Sequence, residues 1–189
     1  MKVRLLFLTL GMALCWAAAP VLAAPRSQLE PSTADYAARY AVEKGWKYFD
    51  RGDLDGALRR FHQATIIDPS FAPGYFGKAF VYSRQKRWYL AETNYLKTME
   101  LAPEFPHAYG NLAVVYWSQG KVAMAAPYVR RSLELAPTDP MVQENAAYYF
   151  FYSANYDAAW RHLNKAKALG ARPDPDFVKD LRARLSNSN

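Results

Sequence analysis

The chain has 189 residues, a formal net charge of +7 and a single cysteine. That length suits one domain of ordinary size behind a short N-terminal segment. Cys15 sits in an apolar run near the start, so the rest of the chain can form no disulfide and offers no thiol nucleophile or metal ligand.

Met1-Lys2-Val3-Arg4 is a basic start, and Leu5 to Ala19 is an apolar run broken only by Thr9 and Gly11. Pro20 to Pro25 then offers small residues ahead of a polar stretch. That order predicts a secretory signal peptide over residues 1–23, cut after Ala23, and hence a periplasmic protein. The alternative is an uncleaved inner-membrane anchor, because residues 5–24 are about long enough to span a bilayer. Lipid attachment at Cys15 is not expected, since Leu14 stands where a small residue is required. Residues 24–33 read as a short linker.

Loss of Lys2 and Arg4 lowers the formal charge from +7 to +5. Most of the remainder is C-terminal. Arg161, Lys165, Lys167, Arg172, Lys179, Arg182 and Arg184 face Asp174, Asp176 and Asp180, a net +4. Interrupted by acids, this stretch reads as a solvated helix face or as a contact for an anionic membrane surface or acidic partner. Export makes nucleic acid a poor candidate.

A period of 34 residues then runs through the chain. Pro69, Pro103 and Pro137 keep it, as do Tyr48, Tyr82 and Tyr116 with Phe150 next in step. Gly45, Ala79, Ala113 and Ala147 form a small-residue column, and Ala57, Ala91, Ala125 and Ala159 another. Such a period means stacked supersecondary units, each burying its apolar face against its neighbours.

Each unit reads as two antiparallel helices. The first pair runs from Ser32 or Thr33 to Asp50 and from Leu54 to Ile67, where Asp68-Pro69 stops it. Later pairs are expected near 72–84 and 88–101, 106–118 and 122–135, and 140–153 and 156–169. Gly52 and Gly120 share a turn column, in which Lys86 and Ala154 predict turns of different detail. Pro127 predicts a kink in its helix or a later start. Phe61, Tyr95, Val129 and Leu163 form an apolar layer, and Leu54, Trp88, Val122 and Tyr156 open the second helices.

These columns resemble the tetratricopeptide repeat. The resemblance covers residues 34–173, as units at about 38–71, 72–105, 106–139 and 140–173. It implies an all-α, right-handed superhelical solenoid of about four helix-turn-helix units. Residues 174–189 complete it with a capping helix and tail, with Phe177, Val178, Leu181 and Leu185 on one face. It departs from the pattern at Ala171, which replaces the proline of other units.

The resemblance also implies a concave groove lined by the first helices, in which a partner peptide or helix lies. Its candidate residues are Arg39, Glu43, Trp46, Phe76, Phe80, Arg84, His107, Asn111, Trp117, Glu144, Asn145, Tyr148 and Tyr152. Val42, Phe49, Asp50, Ser83, Val114, Ser118, Met141 and Phe151 adjoin them. Aromatic anchors dominate many binding surfaces, although a tightly wound array would bury them between units. Phe49 and Phe151 are expected to be the more buried. Asn111 and Asn145, 34 apart, suit a peptide backbone because an amide offers both donor and acceptor. The positions of the family's carboxylate clamp carry Val42, Trp46, Gly77, His107 and Asn111. Only Asn111 fits, so recognition of a chaperone C-terminal tail is not supported.

No catalytic motif is present. His62, His107 and His162 lie in different parts of the register, and acids at Asp50, Asp53 and Asp55 suit helix termini. No enzyme activity, cofactor or metal is expected. The leading expectation is an exported scaffold for protein binding in envelope assembly or secretion. The alternatives are carbohydrate binding in polysaccharide export and self-association through the C-terminal helix. The oligomeric state is open.

Overall fold

The computed structural model describes residues 33–186, and its regular elements there are nine α-helices with no strand. They are α1 Thr33–Asp50, α2 Leu54–Ile67, α3 Ala72–Arg84, α4 Trp88–Leu101, α5 Pro106–Trp117, α6 Val122–Leu135, α7 Pro140–Tyr152, α8 Tyr156–Ala168 and α9 Pro175–Ser186. The signal peptide, the membrane-anchor alternative and most of the linker lie outside the described residues. No helix among those described is long and apolar enough to cross a membrane.

Local chemistry sets these boundaries. Asp68, Ala102 and Ala136 each precede a proline and leave the helical region, with ψ of 100°, 78° and 69°. Proline then occupies the first turn of α3, α5 and α7, where its missing N–H leaves no helix bond unmade. Side-chain oxygens of Asp53, Asp139 and Asn155 accept from backbone N–H groups at the starts of α2, α7 and α8.

The four turns inside the units share one geometry. Gly52, Lys86, Gly120 and Ala154 all take a left-handed conformation, with φ of 79°, 57°, 75° and 57°. The next N–H, on Asp53, Arg87, Lys121 and Asn155, donates to the carbonyl of Tyr48, Tyr82, Tyr116 and Phe150. This six-residue closure requires the left-handed residue whatever its side chain. The expected difference at Lys86 and Ala154 is therefore absent, and those two residues carry backbone strain instead.

Pro127 does not delay the start of its helix. Helix α6 starts at Val122 as the other units do, with Pro127 inside it. The first turn tightens: Met124 N–H donates to Lys121 O, where α2, α4 and α8 use a bond one residue longer from Ala57, Ala91 and Ala159.

The repeated columns pack as their sizes require. Ala57, Ala79, Ala91, Ala113, Ala125, Ala147 and Ala159 have no exposed surface. Phe61, Tyr95 and Leu163 are likewise fully buried and Val129 nearly so. Helices α1, α3, α5 and α7 pack against one another along the array, while α2, α4 and α6 each join their own first helix to that of the next unit. The first helices thus form the inner face. Three further bonds lock unit to unit: Tyr75 and Tyr109 hydroxyls and the Gln143 amide donate to the carbonyls of Pro69, Pro103 and Pro137.

Helix α9 takes the place of a fifth first helix. Leu181 stands 34 residues after Ala147 and is fully buried, and Phe177 is 8% exposed. They pack with Ala147, Ala159 and Leu163. Leu181 is consequently unavailable for self-association.

Candidate functional site

The inner face divides into three stretches. At its start, Trp46 meets Phe49, Phe61, Phe76 and Phe80 with ring centroids 5.8, 4.9, 6.2 and 5.4 Å apart. Phe76 continues the ladder to Phe105 at 4.9 Å. Trp46, Phe49, Phe76 and Phe80 are half-buried, so one edge of this cluster faces solvent. The local cause is glycine. A Cβ on Gly45 or Gly77 would lie 2.5 or 2.3 Å from the Phe61 ring, so those positions must stay bare for Phe61 to insert. Arg39 and Glu43 flank the ladder and are exposed, but Asp35 holds Arg39 at 2.9 Å and Lys47 holds Glu43. The Arg39 guanidinium also lies over the Phe71 ring at 5.6 Å.

The middle stretch is a hollow of about 460 Å³ between α3 and α5, within the roughly 300–1,000 Å³ typical of binding sites. Tyr95 and Asn111 are its buried floor, and half-buried Phe80, Trp88 and Val114 its walls. Ser83, Arg84, Lys86 and Ser118 complete its lining at the mouth. Burial pushes the Tyr95 hydroxyl pKa up, opposed by the nearby Ser83 and Asn111 side chains. The Asn111 side chain is 8% exposed, and its amide nitrogen is buried without a geometrically sound partner. A donor in that state costs about 1–3 kcal/mol.

The two asparagines do not both stand free. Asn145 Nδ2 donates to Asn111 Oδ1 at 3.5 Å, the long limit of a hydrogen bond. Gly110 leaves the room, since a Cβ there would lie 3.0 Å from Asn145 Nδ2. His107 is half-buried, with Nε2 3.1 Å from Asp139 Oδ2, and Asp139 also caps α7. Through Asp139, His107 is therefore tied to the start of α7.

The last stretch is more enclosed. Trp117 is 8% exposed and stacks on Tyr152 at 6.3 Å. It is more buried than Phe49 or Phe151, which reverses the expected order, because it lies in the main core with Leu112 and Tyr116. Tyr148 stacks on Phe177 of the capping helix at 4.0 Å, and Phe151 meets the same ring at 5.4 Å. Burial raises the Tyr148 pKa to about 12 and also raises that of Glu144. Tyr152, at 53% exposed, is the open aromatic of this end.

The structure thus brings Phe80, Arg84 and Asn111 to one hollow and commits His107, Trp117 and Tyr148 to packing. Lys86, Trp88 and Tyr95 also line the hollow but were absent from the candidates, which were confined to first helices. Their signal was Tyr95, a polar-ended aromatic in a layer whose other members are Phe61, Val129 and Leu163. Among the described residues no group of three histidine, cysteine or acidic side chains could hold a metal ion.

Comparison with known proteins agrees with this fold. The family model described as tetratricopeptide repeat matches residues 106–139. No curated protein matches the sequence. The crystal structure of MamA is similar, with a TM-score of 0.58 at 18% identity over 72% of this chain and 80% of that one. The Arabidopsis OM64 tetratricopeptide domain scores 0.57 at 19% identity, over 62% of this chain and 97% of that one. The first tetratricopeptide domain of Spaghetti (RPAP3), solved with the HSP90 peptide SRMEEVD, scores 0.54 at 24% identity, over 72% and 95%. The third unit is a tetratricopeptide repeat by sequence, and the array has the fold of a tetratricopeptide-repeat solenoid.

Proposed function

We propose that this protein is an exported, non-enzymatic adaptor whose inner face binds an extended or helical segment of a partner protein. The observation that carries this reading is the hollow between α3 and α5, which continues from the half-exposed aromatic ladder through Phe80. An open apolar surface beside a few polar groups suits side-chain anchors with backbone contacts. The RPAP3 domain, solved with a peptide, supports the use of this fold for a peptide.

The mode of binding differs from a chaperone-tail clamp. Gly77 has no room for a ligand-binding side chain, because Phe61 fills that space. His107 is already engaged by Asp139. Export rests on the signal-like residues 1–23. Envelope assembly or secretion is the setting that export and a scaffold fold suggest together.

The test is recovery of partners from envelope extracts on the wild-type protein and on Ser118→Trp, which fills the mouth of the hollow from an exposed position. A protein retained by the wild type and lost with Ser118→Trp is the expected result. Equal recovery on both would overturn the inner-face reading. Fusion of residues 1–23 to a reporter active only after export should give activity, and an inactive reporter would overturn the export part.

A further inference from the structure

The hollow is lined by two cations and no acid, and the following inference rests on the peptide-binding reading above. Arg84 and Lys86 are exposed lining residues, and among the described residues neither makes an ion pair. Elsewhere on the array, Asp35 holds Arg39, Glu43 holds Lys47, and Glu104 and Glu134 hold Arg131. No acidic side chain lines the hollow. Its floor holds the Asn111 amide nitrogen, a buried donor beside the Tyr95 hydroxyl that makes no well-formed hydrogen bond. Its walls are the rings of Phe80 and Trp88 and the Val114 side chain.

Lys86 sharpens the point. Its turn places it at φ 57°, where Gly52 and Gly120 stand in the equivalent turns. Glycine would relieve that backbone. Lysine instead puts a second cation beside Arg84.

We propose that the hollow receives an acidic side chain of the partner segment, next to an aromatic or aliphatic one. The carboxylate pairs with Arg84 and Lys86, the apolar neighbour packs on Phe80 and Trp88, and Asn111 supplies a donor from the floor. Charge complementarity assigns the occupant: unpaired cations over apolar walls select acidic-apolar segments, attract them at a distance and reject basic ones. Arg84 and Lys86 lie beyond the clamp positions named above, toward the C-terminal end of α3.

The experiment is selection of a random twelve-residue peptide display library on the full exported protein. The wild type is compared with the Arg84→Glu, Lys86→Glu double variant and with Ser118→Trp. Both cations are exposed, so thermal melting should show the double variant folded. The wild type should enrich peptides with Asp or Glu beside an apolar residue. The double variant should bind them about tenfold more weakly or worse and should select Lys or Arg instead. Wild-type peptides without acidic bias, bound equally by the double variant but lost with Ser118→Trp, would overturn this inference and leave the adaptor reading standing. Absence of any enriched peptide would overturn both. So would binding of an acidic glycan in place of peptide, even with the same dependence on Arg84 and Lys86.

Discussion

The first two units and the last two build the same columns but treat the inner face oppositely. In the first, bare glycines at 45 and 77 let Phe61 insert, and Trp46, Phe49, Phe76 and Phe80 spread into a ladder with an open edge. In the last, Trp117 is drawn into the core, and Phe177 covers Tyr148 and Phe151. The column Gly77, Asn111, Asn145 shows why. Gly77 and Asn111 face the second-helix layer of the preceding unit, at Phe61 and Tyr95 respectively. The larger apolar ring requires glycine, and the polar-ended ring accepts an amide. Exposure on the inner face follows from the neighbouring unit, not from the residue in the groove.

That contrast can be broken most severely at the cap. Leu181→Ala empties a fully buried site and should destabilise the C-terminal units by about 2–4 kcal/mol. Urea unfolding should show the fourth unit melting ahead of the first two, since units in such arrays depend on their neighbours. Simultaneous loss of all units with little change in midpoint would contradict the role given to α9.

Next in size is Gly77→Ala. Its Cβ would lie 2.3 Å from the buried Phe61 ring, and overpacking of this kind costs about 1–3 kcal/mol. Gly110→Ala meets the Asn145 amide at 3.0 Å and the Ser132 hydroxyl at 3.2 Å, both side-chain ends that can give by a few tenths of an ångström, and recovers up to about 1 kcal/mol of helix propensity. Denaturant midpoints should therefore fall clearly for the first and change little for the second. Equal loss in both would show that the steric contrast between the halves is not what sets the glycines.

A pH scan probes the last two units separately. His162 Nδ1 lies 2.7 Å from Gln143 Oε1, and its ring stacks on Phe150 at 5.1 Å. Because the Gln143 amide nitrogen already donates to Pro137, its oxygen accepts and His162 Nδ1 carries the proton. Burial, then Lys165 and Arg161, hold the His162 pKa below its ordinary 6.5. The unfolded chain takes up this proton first as pH falls. The contribution is full above about 6.5 and is lost as pH falls through the folded-state value. Melting temperature should fall more steeply in mild acid for the wild type than for His162→Gln, and parallel curves would remove His162 from this role.

The smallest effect expected is a gain. Ala154 holds φ at 57° without glycine's freedom. Ala154→Gly should stabilise by about 0.5–1 kcal/mol, the relief of the left-handed backbone less the entropy of the unfolded chain. A loss of stability would mean that the Ala154 methyl group makes a contact worth more than that strain.

The architecture was legible because every column is a matter of size. Ala57, Ala91, Ala125 and Ala159 must be small and are all fully buried, and prolines at 69, 103 and 137 end helices by steric rule. The turns misled because Lys86 and Ala154 look unlike Gly52 and Gly120, yet the closing hydrogen bond imposes one backbone on all four. The inner face was legible only by column. Arg84 and Phe80 line the hollow, but His107 pairs with Asp139, the residue that caps α7, and Trp117 is buried by contacts between helices that a one-dimensional register does not carry.

The most direct test of the adaptor reading is photocrosslinking in living cells from position 118, in the hollow, with position 100, exposed on α4, as control. The account predicts a dominant protein adduct from position 118 that position 100 does not give. A folded, exported protein that crosslinks a partner from position 100 and none from position 118 would contradict it.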